Sequence, residues 1–261
     1  MCDGNFERID KQREIDLYKS SYGNALLSEM MHYVIPISWG TCVNGEITIK
    51  SNASAFILNL GEQSFLVTAA HVYEGYLAAK ACQNFVSYLG SMEFNFEDRL
   101  IHSLGSSLLD IATFQITDQE INTLNKHVTY LNFGSEITRA KENQGVIFAG
   151  FPGKERGLIR DTEYGYGLCV GLSPISSSSD RHFGCVFSRE NWLDTFGNGL
   201  PPLGYNMGGM SGGPAFLFQI CNGVLSWPLV GVISSASIEL GEILLVQHIC
   251  YIGRDGRLVC P

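Results

Sequence analysis

From Tyr33 onward the chain is cut into apolar or alternating runs of strand length, each ended by glycine, asparagine or serine. "HYVIPISWG", "EITIKSN", "SAFILNL" and "SFLVTAAHV" follow one another in this way. "LLDIATFQI", "GVIFAGF", "PAFLFQI", "WPLVGVISSAS" and "ILLVQHI" continue the pattern towards the C-terminus. Runs this short and this heavily punctuated are strands, and many short strands at irregular spacing lead to a barrel or a sandwich. "AFILNLGEQSFLV" reads as a hairpin turning near "NLGEQ". Residues 5–31 read differently: they hold no proline, mixed charge and scattered Ile9, Leu17, Leu26, Leu27 and Met30, a helical pattern. A short helix is expected over 73–83, just after His71. Residues 152–208 read as a long irregular zone, because "SPISSSSD" and "GNGLPPLG" have loop composition.

Composition narrows the function classes. With 261 residues, 45% apolar and 16% charged, the chain is globular and large enough for one β domain or two lobes sharing a core. A net charge of −9 argues against a nucleic-acid or anionic-membrane partner, either of which favours a basic face. No run of about 18 apolar residues is present, so no transmembrane helix is expected. The first residues, "MCDGNFERIDKQREIDLYKS", lack the apolar core of a secretory signal. The eight cysteines include no Cys-x-x-Cys pair and read as free thiols in a reducing cytoplasm. No metal or cofactor is expected. Asn52-Ala53-Ser54 fits the glycosylation pattern, which a cytoplasmic chain does not present to that machinery.

The segment "NMGGMSGGPAF", residues 206–216, surrounds Ser211 with Gly208, Gly209, Gly212 and Gly213. Such density is tolerated where the backbone turns sharply or is approached closely. A serine hydroxyl needs a base to become a nucleophile, and its attack on a carbonyl needs N–H donors for the developing oxyanion. A tight turn can present the Ser211 hydroxyl and aim amides at one point. The plainer reading is a glycine-rich hairpin with an incidental serine. The candidate base is His71, at the end of the apolar run "LVTAAHV". His32, His102, His127, His182 and His248 read as ordinary core or surface histidines. The candidate orienting acid is Asp110, flanked by apolar residues in "SLLDIATFQI"; Asp98 in "FNFEDRL" is the runner-up.

"TAAH", "DIA" and "GMSGGP", in that order, resemble the chymotrypsin/trypsin-like serine protease family, closest to its bacterial trypsin-like and HtrA-like branches. "VIFAGFPG" resembles a strand end early in the second barrel of those branches, and the likeness spans roughly residues 34–255. It implies a mostly β fold of two antiparallel six-stranded β-barrels with an N-terminal helical extension. The divisions would be 1–32 for the extension, 33–140 for the first barrel and 141–261 for the second. It also implies His71, Asp110 and Ser211 as catalytic residues, with the N–H groups of Gly209 and Ser211 as oxyanion donors. Tyr205, Ser234, Ser235 and Ala236 would line the substrate site.

The sequence departs from that pattern in places. Val72 stands where secreted members carry a disulfide cysteine, Met210 where zymogen-type members carry an aspartate, and Tyr205 where trypsin has its pocket-floor aspartate. Activation by burying a cut N-terminus is therefore not expected. Instead, ordering of residues 152–208 would gate the oxyanion turn, with the peptide before Gly209 flipped at rest. The expected function is an intracellular endopeptidase acting on a protein or peptide substrate by limited cleavage. An idle protease-like module that binds a peptide in the same cleft is the alternative, and an esterase-like hydrolase is a third. The N-terminal helix either packs on the barrel or docks a regulatory protein. If the cysteines are thiols, alkylation of anaerobically purified protein followed by mass spectrometry is expected to find all eight modified.

Overall fold

The computed structural model describes residues 20–105, 109–131, 139–160, 163–186, 205–221, 224–237 and 243–259. The chain is mostly β. Helix α1 (Ser21–Met30) leads into β1 (Ile35–Val43), β2 (Glu46–Asn59) and β3 (Ser64–Thr68). Helix α2 (Ala70–Lys80) follows, then β4 (Phe85–Leu89), β5 (Met92–Glu93), α3 (Phe96–Arg99), β6 (Leu100–Leu104), β7 (Ile111–Gln115), α4 (Asp118–Leu124) and β8 (Val128–Tyr130). The second half contains β9 (Gly145–Gly150), β10 (Arg156–Arg160), β11 (Glu163–Tyr166), β12 (Cys169–Ser178), β13 (His182–Val186), β14 (Pro214–Cys221), β15 (Val224–Ser226), β16 (Leu229–Ser237) and β17 (Ile243–His248).

The strands of the second half close on themselves. β14, β16, β17, β13, β12 and β9 pair in that order, and β9 returns to β14, giving a six-stranded antiparallel barrel. The first half runs β5-β4-β1-β2-β3-β7-β6, with β8 added in parallel to β2. Two closed six-stranded barrels were the expectation. Among the described strands only the second closes by backbone pairing, and the first is an eight-stranded sheet. The reason is visible at its ends. β5 is two residues long, too short to pair onward, and the turn into α3 buries Phe94 and Phe96 in the core there.

β2 holds the two halves together. It pairs with β1 over residues 46–55 and with β3 over 56–59. Its outer part alternates in exposure, whereas Ala53–Leu58 is buried without a break. A strand with both faces covered is largely apolar on both, which is why "ASAFIL" lacks alternation; its one polar residue, Ser54, is buried with its hydroxyl hydrogen-bonded. Phe56 and Leu58 enter a cluster shared with Ile147, Ala149, Phe216 and Val232 of the barrel, together with Leu26 and Met30 of α1. Leu26 and Met30 stand four residues apart, on one helical face, and so meet the core together. The remaining helical expectation, residues 5–19, lies outside the described residues.

Three expectations shift. The helix after His71 runs over Ala70–Lys80 rather than 73–83, because Val72, Tyr73 and Tyr76 all face the core. The zone expected to be irregular contains β10 to β13 over residues 156–186; its residues 187–204 lie outside the described residues. Serine-rich β12 is a strand because its hydroxyls find backbone carbonyls: Ser173 donates to Val186 O, Ser176 to Gly184 O and Ser178 to Ala140 O. Composition alone cannot see such partners. Finally, the C-terminal segment returns to the first sheet. Thr113 Oγ1 donates to Gly256 O at 2.6 Å, and Leu258 N–H to His102 Nδ1 at 2.9 Å.

Among the described residues no helix is long and apolar enough to cross a membrane. Met30 is fully buried in the shared cluster. Met30→Ala is expected to lower unfolding free energy by about 2–5 kcal/mol. Leu77→Ala, at an exposed site, is expected to stay within about 0.5 kcal/mol of wild type. Urea denaturation checks both.

Candidate active site

Asp110 precedes β7 with φ +46, in the left-handed region that aspartate tolerates better than most residues. This twist turns its carboxylate inward, where it is 2% exposed. A carboxylate so buried needs donors, and it has three. The backbone N–H of His71 donates to Oδ1 at 3.0 Å. The Nδ1 atom of His71 lies 3.1 Å from Oδ1 and 3.0 Å from Oδ2. The Ser234 hydroxyl donates to Oδ2. Asp98 sits elsewhere, exposed on α3, accepting from Asn95 Nδ2.

His71 occupies the first turn of α2, so the helix holds its backbone against Asp110 while its ring remains 39% exposed. A ring held at Nδ1 leaves Nε2 as its outward nitrogen. The hydrogen bond that the ring donates to Asp110 raises the imidazole pKa above its ordinary value, against an opposing effect of burial; the charges of Asp110 and Glu74 add to the rise.

Ser234 is the residue that joins acid to serine. Along β16, Ile233 pairs with Val246 and Ser235 with Leu245, so Ser234 is the extra residue of a bulge. Bulges re-aim side chains. Here the Ser234 hydroxyl reaches Asp110, while its carbonyl accepts the Ser211 hydroxyl at 3.1 Å. His71, Asp110, Ser234 and Ser211 thus form one contiguous group. The side-chain hydrogen bond made by Ser211 is to Ser234 O, not to the imidazole, among the described residues.

The glycines around Ser211 answer to their surroundings. Gly209 has φ +105, and a Cβ there would lie 2.6 Å from Phe151 O. Gly212 has φ +86, and a Cβ there would lie 2.0 Å from Thr68 Oγ1 and 2.1 Å from Ser54 O. The turn is pressed between β2 and β3 of the first sheet and the 151–153 segment of the second half. Among the described residues the N–H groups of Gly209 and Ser211 have no acceptor, whereas those of Gly208, Met210, Gly212 and Gly213 do. The Gly208 carbonyl, whose flip into the site was the expected resting state, accepts from Gly153 N–H at 2.6 Å. Met210 is fully buried in the barrel core, an apolar plug at the position next to the serine.

The remaining expected pocket residues separate. Tyr205 is buried, and its hydroxyl donates to Glu155 Oε1 at 2.5 Å. Burial and Glu155 push that phenol well above its usual range. Ser235 is exposed, and Ala236 pairs with Leu244 while its side chain lies outside the described residues. Sequence reasoning missed Ser54, which donates to Gly209 O at 2.8 Å and accepts from Phe151 N–H at 2.9 Å. It also missed Asn52, which donates to Phe151 O and accepts from Arg156. Both partners of Ser54 are about a hundred residues or more away in sequence, and no local signal marks it beyond the glycosylation pattern.

No protein-family model matches the chain. No curated protein matches it either. Among solved structures, it is similar to a thermostable serine protease, AL20, from an extremophilic microorganism, at 16% identity and TM-score 0.45, covering 85% of this chain and 92% of that one. The serine protease domain of the Sesbania mosaic virus polyprotein matches at 14% identity and TM-score 0.43, covering 84% and 89%. A chain from work on coupled folding and binding of the intrinsically disordered Sesbania mosaic virus VPg protein matches at 13% and 0.45, covering 84% and 87%. At these distances the functional reading rests on the site's own geometry.

The raised imidazole pKa has a direct readout. An NMR titration is expected to place His71 above 6.5, the ordinary value, so the ring stays protonated to higher pH than a free histidine. Asp110→Asn removes both the hydrogen-bonding carboxylate and its charge, so the titration is expected to move down.

Proposed function

We propose that the protein is a serine endopeptidase in which Ser211 is the nucleophile, His71 the base and Asp110 the residue that orients the base. The observation that carries this reading is the double contact of Ser234, which touches Asp110 through its hydroxyl and Ser211 through its carbonyl. Base, acid and serine therefore gather around one residue.

In the proposed reaction, the Ser211 hydroxyl rotates from Ser234 O towards His71 Nε2, a side-chain motion on the ps–ns scale for exposed groups. Its Oγ forms a bond to the carbonyl carbon of a peptide, and its proton passes to Nε2. The carbonyl π pair moves onto oxygen, and the N–H groups of Gly209 and Ser211 are the donors available to it. Collapse breaks the C–N bond, and the leaving amine takes the proton from His71. Water then repeats the sequence on the acyl-serine and releases the acid. Throughout, the Asp110 carboxylate holds Nδ1–H and balances the transient imidazolium. Ser235 and Ala236, adjacent on β16, belong to the proposed substrate site, and the substrate is a protein or peptide in a reducing cytoplasm.

A second reading takes the cleft as a peptide-binding module without turnover. The Ser211 hydroxyl resting on Ser234 O is the observation in its favour.

A fluorophosphonate probe separates the two. Wild-type protein is expected to label at Ser211, and Ser211→Ala is expected to lose labelling and at least about a thousandfold of peptidase activity while keeping its thermal transition. Labelling that persists in Ser211→Ala, or its absence from wild type, removes the endopeptidase reading. Because the base must be neutral, and its pKa is raised, activity is expected to fall as pH drops through a value above 6.5. Below that value His71 is protonated and unable to accept the serine proton.

A further inference from the structure

The orientation of the turn at Ser211 depends on where its carbonyls point. All peptide bonds of the described chain are trans, and in a trans peptide the C=O and N–H point in opposite directions. Fixing a carbonyl therefore fixes the amide of the following residue. Four consecutive carbonyls are held here. Gly208 O accepts from Gly153 N–H, Met210 O from Gly213 N–H, and Ser211 O from Ser54 N–H. Gly209 O accepts from the Ser54 hydroxyl at 2.8 Å. Among the described residues, Ser54 is the one side chain that donates to a carbonyl of this run.

The Ser54 hydroxyl has its proton direction determined. It accepts the Phe151 N–H at 2.9 Å, which occupies a lone pair, and its single proton goes to Gly209 O. It is fully buried, so water does not compete for either partner. Its own carbonyl accepts from Thr68 Oγ1 at 2.7 Å, which anchors the strand behind it. Gly209 is where such a hold matters most. Glycine rotates with little steric resistance, and the 209–210 peptide links the Gly209 amide, set by the Gly208 carbonyl, to the Ser211 amide, set by the Met210 carbonyl, so its orientation sets how the two donors face each other.

We propose that Ser54 is a positioning residue for the oxyanion donors: by locking the Gly209 carbonyl it holds the 209–210 peptide, the link between the two donor peptides, so that the N–H groups of Gly209 and Ser211 stay converged on the substrate carbonyl oxygen. It touches neither the substrate nor the reacting atoms. The inference rests on the endopeptidase reading above. It goes beyond that reading by assigning transition-state geometry to a side chain of the opposite half of the molecule.

The test runs wild type, Ser211→Ala, Ser54→Ala and Ser54→Thr in parallel on one peptide substrate, with fluorophosphonate labelling rates beside the kinetics. Losing one oxyanion donor outright costs about 10²–10³ in kcat; Ser54→Ala misaligns donors without removing them, so a fall of about 10–100-fold in kcat is expected. KM is expected to stay within about twofold, because substrate ground-state contacts are untouched. The acidic limb of the pH profile is expected not to move, since the His71–Asp110 pair is intact. Ser54→Thr keeps the hydroxyl and is expected to recover most of the loss. If Ser54→Ala does not fold, Ser54→Cys replaces it, with a weak S–H donor in nearly the same volume, and is expected to show a smaller kcat loss of the same kind. An active wild type with Ser54→Ala, or Ser54→Cys in its place, equally fast overturns the Ser54 assignment and leaves the endopeptidase reading standing. A shifted pH limb overturns it too, by placing Ser54's effect on the base. A wild type that neither labels nor cleaves overturns the endopeptidase reading itself, and this assignment with it.

Discussion

The buried carboxylate of Asp110 ties the molecule together. Taking a carboxylate out of water is tolerable only if donors replace the lost hydration. Its donors come from two places that are far apart in sequence: the start of α2 and the bulge of β16. Backbone and ring of His71 bind it from the first sheet, and Ser234 binds it from the barrel. Satisfying that one charge therefore places the two halves against each other and draws the serine turn alongside, through Ser234 O. Ser234 contributes to both ends of this arrangement, which makes the bulge in β16 a structural requirement rather than an irregularity.

The second requirement is clearance. The turn that carries Ser211 lies against β2 and β3, and the space at Gly212 is filled by Thr68 Oγ1 and Ser54 O at distances no Cβ permits. Glycine there does two things at once: it adopts the left-handed backbone, and it lets two segments approach within hydrogen-bonding range. The resulting contacts, Ser54 N–H to Ser211 O and Gly212 N–H to Ile233 O, stitch the turn to both halves. The apolar cluster beneath, with Phe56 and Leu58 from one side and Phe216 and Val232 from the other, keeps water from those polar contacts. Helix α1 completes that cluster through Leu26 and Met30, so its described part is a component of the core rather than an appendage.

Much of this was legible in the sequence because its causes are local. Strand length and turn position follow from alternation and from glycine, asparagine and serine breaks, and the β2–β3 hairpin turns at 60–63 for that reason. The apolar setting of Asp110 marked a carboxylate in need of partners before any partner was known. The glycine density around Ser211 marked a place of unusual backbone. What the residues carry in themselves, namely a preferred conformation, a charge that must be satisfied or the lack of a side chain, can be read without knowing the neighbours.

Closure of the barrel, the open edges of the first sheet and the conversion of serine-rich 169–178 into a strand depended instead on contacts between distant segments. β9 meets β14 across some seventy residues of chain, and the hydroxyls of β12 find carbonyls that composition does not reveal. Ser234 was expected in the substrate site from the resemblance of its strand alone; its bond to Asp110 spans 124 positions and has no local signal. Ser54 carried no local mark beyond the glycosylation pattern, and its bond to Gly209 spans 155. The sequence by itself determined what its unusual residues need: donors for a carboxylate in an apolar run, and clearance for a turn ringed by glycines. Only the tertiary structure decided which partner meets each need, because a hydrogen bond depends on proximity in space, and proximity between distant segments is created by the packing of the whole chain.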